Sequence, residues 1–511
     1  MTVKDMVGND APFGESTCIG AKEENSDVIK RQLSHQRPDV AGIISELQRA
    51  APTVSADTHH MENKALIAQV AALRSEMLQD APLTNERLSL TSLIPEDGHP
   101  NVSVYNDELR GLGSPTWLNT VWMWSECYMY RCVLFTPLRS SIHADYPPDQ
   151  RRLVALFRNT RHWGDFDPFH TQKVMALRSS RMAVMEHVTH FDQLTRGVAH
   201  SDFDAQRQGF SAVCKRSLWG NATDLSLLPN ISHGEIQQLQ KAGGNKDRDG
   251  FILVNHLSAA FDRLALAKRL NKPHRRVVIV LDNAGFELLV DILLGAFLIE
   301  CGLATTVEFH PKDCPWFVSD VIVADVHDLL EELANPDHLF SNVDPRRAQD
   351  CATSPQKMAL SRLSPRLANM FNDGSLVIRT DPFWTTGGSY WTMNRVAPHL
   401  FANLAEADLV IFKGDMNYRK LTGDAMWPTA TPFPEAIGPL AKHGLCALAL
   451  RTCKSDVVVG LAPGQEDVLQ QNVLAQGSSS GRSWAWDGKY ALAQLSLGRK
   501  GGSLDVNVRW T

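Results

Sequence analysis

The chain has 511 residues, 43% hydrophobic and 21% charged, a globular composition with material for roughly two to four domains. Its formal charge of −6 provides no basic field for a nucleic-acid backbone. Nine scattered cysteines without a C-x-x-C pair suit reduced thiols in a cytosolic or nuclear compartment, not a disulfide framework or a zinc site.

Residues 1–35 are polar and irregular, without the apolar run of a secretory signal, and are expected to form a flexible extension. From 36 to 250 the periodicity predicts a mainly helical N-terminal domain. Within it, Trp117, Val121, Trp124, Tyr128 and Arg131 recur at spacings of three and four, and the clustered tryptophans read as helix packing. The polar segment Asp57–Asn63 (DTHHMEN) reads as an exposed connection. Asn245–Ile252 imitates the first eight positions of a calcium loop, but His256 stands where the bidentate glutamate is required, so a polar turn is expected.

From 251 to 511 short apolar runs alternate with helical segments. The predicted strands are VVIVL (277–281), TTVEFH (305–310), SLVIRT (375–380), DLVIFK (408–413), CALALR (446–451), VVVGL (457–461) and YALAQLSL (490–497). FELLVDILLGAFLIE (286–300) and WFVSDVIVADVHDLLEELA (316–334) read as helices. The expected fold class is therefore α/β, a three-layer α/β/α doubly wound and mostly parallel sheet carrying the N-terminal helical domain. The most apolar stretch, Val277 to Ile299, is interrupted by Asp282, Asn283, Glu287 and Asp291, which argues against a membrane span.

In open α/β sheets ligands bind beyond the carboxyl ends of the strands. The 277–281 run ends in Asp282-Asn283-Ala284-Gly285: hard oxygen ligands, a glycine for a tight turn and a helix start that can face an anion. Alone, this is equally a capped turn. Asp320, expected near the start of the next helix, offers a third oxygen ligand. Lys413-Gly414-Asp415-Met416-Asn417-Tyr418-Arg419-Lys420 crowds a carboxylate, an amide, a phenol and three cations at one strand end. Arg451 and Lys454 are placed to offset phosphate charge, as fork and point donor. Lys312 is a further phosphate candidate, or simply a solvated lysine.

These segments resemble the damage-control phosphatase family, a former domain of unknown function, in its eukaryotic branch with an Arg-Thr-x-Lys motif. The matching segments are LWGNATDLSLL (218–228), LDNAGFELLVDILL (281–294), FHPKDCPWFVSDV (309–321), DPFWTTGGSYW (381–391), FKGDMNYRKLTGD (412–424) and RTCKSDVVVGL (451–461). The resemblance implies a divalent metal (Mn, Mg, Co or Ni) on Asp282, Asn283 and Asp320. It implies substrate contacts at Asp282, Asn283, Glu287, Asp415, Met416, Asn417, Tyr418, Arg419 and Lys454. The implied substrates are small phosphorylated metabolites, sugar phosphates such as fructose 1-phosphate, with Asp282 and Asp415 as catalytic groups. Asp282 as nucleophile and Asp282 as metal ligand are both open at this stage. Met416 stands where the family usually has leucine, and the 339–355 insertion is unfamiliar.

Two other classes compete. Relatives have been described as S-adenosylmethionine-dependent carboxyl methyltransferases acting on protein glutamates, but the first turn here has only Gly285 where nucleotide-binding turns carry several glycines. A non-catalytic binding protein is the other, and it predicts erosion of strand-end polar groups that are intact here.

Overall fold

The computed structural model describes residues 41–50, 58–80, 99–112, 115–134, 163, 166–198, 201–220, 246–340 and 352–498. The 1–35 extension, the 221–228 part of LWGNATDLSLL and positions 341–351 of the insertion lie outside the described residues. Seven strands form one sheet: β1 (Ile252–Asn255), β2 (Arg276–Val280), β3 (Thr306–His310), β4 (Leu376–Ile378), β5 (Leu409–Lys413), β6 (Ala447–Thr452) and β7 (Ala491–Ser496). Their order is β1-β7-β6-β5-β2-β3-β4. Every neighbouring pair is parallel except β6 and β7. From β2 the chain steps outward through β3 and β4, then returns to the other side of β2 with β5. That reversal opens a crevice at the carboxyl ends of β2 and β5.

The helices that build the cores around the sheet and its crevice are α1 (Thr58–Leu78), α2 (Val102–Gly111), α3 (Trp122–Leu134), α4 (Arg181–Val198), α5 (Phe203–Gly220), α6 (Phe286–Glu300), α7 (Val323–Ala334), α8 (Ser354–Asn372) and α9 (Gly414–Leu421). Side-chain alternation along the strands divides the core. Val277, Ile279, Val307, Phe309, Leu409 and Ile411 pack with α4 to α8 on one face. Val278, Val280, Val410 and Phe412 pack with Phe383, Trp384, Tyr390 and Tyr418 on the other. Both faces are covered, so the strands are apolar throughout, as parallel strands require. A third core joins α1, α2 and α3 to Trp316 and Val318, in the loop after β3. Tyr105 of α2 meets Trp124 of α3 edge to face at 5.8 Å, which is the helix packing expected of that aromatic run.

Three expectations give way. The VVVGL run (457–461) is not a strand, because its polar backbone groups are taken elsewhere. Gly460 N–H donates to Thr431 O and Leu461 N–H to Thr429 O, while Val459 O accepts from the Gln494 side chain. Antiparallel β7 occupies the place beside β6 that a further parallel strand would need. The helix expected from 316 begins only at Val323, so Asp320 lies in a loop. The DTHHMEN segment, expected as a connection, enters α1 from Thr58 onward.

Helix α6 is buried from Phe286 to Leu298, and apart from Glu287 and Asp291 it is apolar on every face, not amphipathic. A Cβ at Gly295 would stand 2.6 Å from Cζ of Phe309 on β3. Gly295→Ala should therefore lower the urea midpoint by an amount equivalent to about 1–3 kcal/mol, the usual cost of overpacking. An unchanged midpoint would show that Phe309 yields freely.

Candidate active site at the carboxyl ends of the sheet

Beyond β2, the chain is stitched to the loop that follows β3. Leu281 N–H donates to His310 O at 3.1 Å, Ala284 N–H to Ser319 O at 2.7 Å and Val321 N–H to Asp282 O at 2.9 Å. Asn283 and Asp320 form an antiparallel bridge. Asp282, Asn283 and Asp320, separated by up to 38 positions in sequence, are thereby held side by side and buried. The loop reaches this position through positive φ at Phe317 (41°) and Val318 (65°), where β-branched and aromatic residues are rarely found. Trp316 and Val318 are anchored in the aromatic core with α2 and α3, which offsets that backbone cost.

The Asn283 amide has a defined orientation. Its Nδ2 donates to Asp282 Oδ2 and to Glu287 Oε2, both at 2.9 Å, and its Oδ1 accepts from Ser319 Oγ at 2.6 Å. Glu287 is in turn held by Lys413, the last residue of β5, at 3.0 Å. The Lys413 ammonium also pairs with Asp291 at 2.9 Å and donates to Ser217 O on α5 at 2.8 Å. Ser217 Oγ donates to Asp291 Oδ1 at 2.6 Å. Burial pushes the Asp291 carboxyl up from its ordinary range. Burial alone would lower Lys413, but the two carboxylates outweigh it and keep the ammonium charged. Two carboxylates in a helix buried on every side thus share one cation, and the helix start carries that order to Asn283. Ser217 lies outside the residues expected at the site, and Lys413, expected there among the cations of the strand end, is spent on two carboxylates. A lysine closing the apolar run DLVIF was the available signal, since such a lysine needs buried carboxylates.

Across the crevice, α9 begins directly at the end of β5, with Gly414 at φ +82°. Asp415 is buried, and three donors converge on its Oδ1: Arg451 Nε at 2.7 Å, Lys454 N–H at 3.2 Å and Ser455 Oγ at 3.1 Å. No described residue donates to Oδ2. Burial raises the Asp415 pKa, but Arg451 and then Arg419 outweigh it and hold the carboxylate below its ordinary value. Arg451, expected as a fork for phosphate, is fully buried. It is occupied by Asp415, the Val457 carbonyl, and the Ser455 carbonyl and hydroxyl, and it stacks 4.2 Å over the Tyr418 ring. It supports Asp415 from behind.

Other members of the expected contact set also point into the framework. Tyr418 is fully buried, donates to Gln494 Oε1 at 2.8 Å and lies parallel to Phe433. Asn417 ties α9 to β2 by donating to Leu281 O at 3.1 Å, and it accepts from Tyr390 Oη at 2.6 Å. Arg419 pairs with Asp424 at 2.8 Å and its guanidinium sits 4.9 Å over Trp122 of α3. Met416 packs against Met123 of the same helix. Lys454 is partly exposed, with its backbone N–H on Asp415. α3 therefore forms a wall of the crevice.

Two more cations are buried here, Lys312 beside Asp320 and Lys420 on α9. Lys312 lies 3.6 Å from the Asp320 carboxylate. Lys420, on α9, donates to Thr386 O and stands 5.8 Å from the Tyr390 ring; burial lowers its pKa. Among the described residues, no cluster of three or more His, Cys, Asp or Glu side chains could hold a metal. The candidate ligand set is two carboxylates and one amide, all hard oxygen donors, and that chemistry fits a small divalent cation with open positions. The seven described cysteines are buried and none is in a disulfide, Cys127 and Cys453 among them. Among the described residues no helix is long and apolar enough to cross a membrane.

The family model described as damage-control phosphatase ARMT1-like domain matches residues 40–469. Damage-control phosphatase ARMT1 of Homo sapiens is 31% identical over 435 residues, which cover 84% of this chain and 86% of that protein. The protein of the same name from Danio rerio is 30% identical over 443 residues (85% and 86%), and that from Rattus norvegicus 33% over 445 residues (84% and 87%). Among solved structures, a DUF89 family protein from Pyrococcus horikoshii matches with a TM-score of 0.32 and 14% identity, over 65% of this chain and 77% of that one.

Proposed function

The chain belongs to the family of damage-control phosphatase ARMT1-like domains, and from that premise we propose that it is a metal-dependent phosphatase of sugar phosphates, of the fructose 1-phosphate kind. The observation that carries this reading is the meeting of Asp282, Asn283 and Asp320 at the switch point of the sheet, opposite an ionised Asp415. Asp282, Asn283 Oδ1 and Asp320 would hold a divalent cation such as Mn, Mg, Co or Ni. When bound, such a cation polarises a phosphoryl oxygen and activates water.

The remaining roles belong to the chain's own groups. Helices α6 and α9 both start at this crevice, so their N-terminal dipoles favour an anion there. Asp415 is held through Oδ1 and stays charged, which suits it to accept hydrogen bonds from substrate hydroxyls through Oδ2. Lys454, the least buried of these cations, would meet phosphate from the mouth of the crevice. The network of Glu287, Lys413, Asp291 and Ser217 keeps the Asn283 amide from turning.

A panel of hexose and pentose phosphates should be assayed for phosphate release with Mn, Mg, Co and Ni and with chelator, while methyl transfer from S-adenosylmethionine to protein carboxylates is measured on the same sample. Release of phosphate from at least one sugar phosphate, abolished by chelator, is the expected result. Methyl transfer without any hydrolysis would sink the reading.

A further inference from the structure

We propose that Lys420 is a phosphate-binding residue of this site, its ammonium contacting the phosphoryl oxygens of the bound substrate. The proposal rests on the phosphatase reading above and adds to it a residue that neither the metal site nor the Asp415 arrangement uses.

Four other buried cations around the crevice have a carboxylate. Lys413 has Glu287 and Asp291, Arg451 has Asp415, Arg419 has Asp424, and Lys312 has Asp320. Lys420 is 3% exposed, and among the described residues no carboxylate lies within ion-pair distance of it. Its polar contact is one carbonyl, Thr386 O, with the Tyr390 ring beneath it. A buried ammonium with a single neutral acceptor is unfavourable, because desolvation of the charge is not matched by an opposite charge. Lys420 follows Asp415 and Asn417 on α9, and the Tyr390 ring beneath its ammonium donates through Oη to Asn417 Oδ1 at 2.6 Å, so it lies on the helix that borders the site.

Charge balance leads to the same assignment. Asp282 and Asp320 together offset Lys312 and Lys420. A divalent cation on the two carboxylates leaves the group with two excess positive charges. A phosphate monoester carries about −1.5 to −2 near neutral pH and restores the balance. The ammonium of Lys420, with donors to spare, is suited to a charge-assisted bond to such an oxygen.

A purely structural lysine, there to tie the 381–391 loop through Thr386, would behave differently on replacement. Lys420→Met keeps the length and removes the charge, and Lys420→Arg keeps the charge. The measurements are inhibition by inorganic phosphate, kcat and KM on an active sugar phosphate, Mn binding, and the urea midpoint. For Lys420→Met the inhibition constant of inorganic phosphate should rise roughly 10- to 100-fold, the loss of one charged hydrogen bond. kcat/KM should fall at least as far, Mn affinity should stay within about threefold, and the urea midpoint should hold or increase. Lys420→Arg should recover part of the phosphate affinity. A Met variant that unfolds, or that loses midpoint while binding phosphate like the parent, assigns Lys420 a structural role and overturns the proposal. A parent protein that releases no phosphate from any substrate defeats the phosphatase reading instead, so the two failures are distinguishable.

Discussion

Asp282→Asn should lower kcat for phosphate release by at least about 10³-fold and weaken Mn binding, while the protein keeps its fold. The substitution preserves volume, and the new amide oxygen can still accept from Asn283 Nδ2, which now donates to Asp282 Oδ2 at 2.9 Å. What disappears is one of two carboxylate charges in a buried oxygen set. Removing a charge that acts where charge develops typically costs several kcal/mol of barrier. Steady-state phosphate release and manganese titration read both consequences. Retention of activity within tenfold of the parent would remove Asp282 from the site. Asp320→Asn should behave alike, because Asp320 shares the bridge to Asn283 and the same buried setting.

The second large effect is on stability. Arg451→Met should cost about 3–5 kcal/mol, since it strips the partner from a buried charge instead of removing the pair. Asp415 and Arg451 are both buried and 2.7 Å apart, and the guanidinium also satisfies the Val457 and Ser455 carbonyls. Urea denaturation at neutral pH measures the loss, and a loss under 1 kcal/mol would contradict the arrangement. The pH dependence has a defined sign. Asp415 in the folded protein titrates below its ordinary value of 3.8, so its stabilising contribution is complete above that value. It is lost as the pH falls through the lower, folded pKa. The parent should therefore lose part of its stability under acid conditions through this pair, and Arg451→Met should show a weaker acid dependence.

Much of the α/β half was legible because its strands are buried on both faces. Val277–Leu281 and Leu409–Phe412 are continuous apolar runs, and such runs bounded by polar turns announce parallel strands. Runs alone do not say where their hydrogen bonds go. VVVGL at 457–461 has the same composition as a strand, yet its carbonyl and amide groups are met by Thr429, Thr431 and Gln494. β1 carried too short a signal, four residues at the sheet edge. The late start of α7 was hidden for a related reason: 316–322 is apolar enough for a helix, but its backbone bonds to Asp282 and Lys312 instead.

By itself the sequence determined that the chain is an α/β protein whose polar groups gather at strand ends, because a buried strand can shed charge only where it leaves the sheet. It also determined which residues carry oxygen ligands and cations. Only the tertiary structure decided what each of them does. Periodicity reports whether a side chain is buried, not which group it meets, and Arg451, Tyr418 and Asn417 are all spent on partners far off in sequence, at Asp415, Gln494 and Leu281. The same long-range packing ordered the unfavourable 317–318 turn that sets Asp320 beside Asn283. It also left Lys420 buried with no carboxylate within ion-pair distance among the described residues, which no pattern along the chain could reveal.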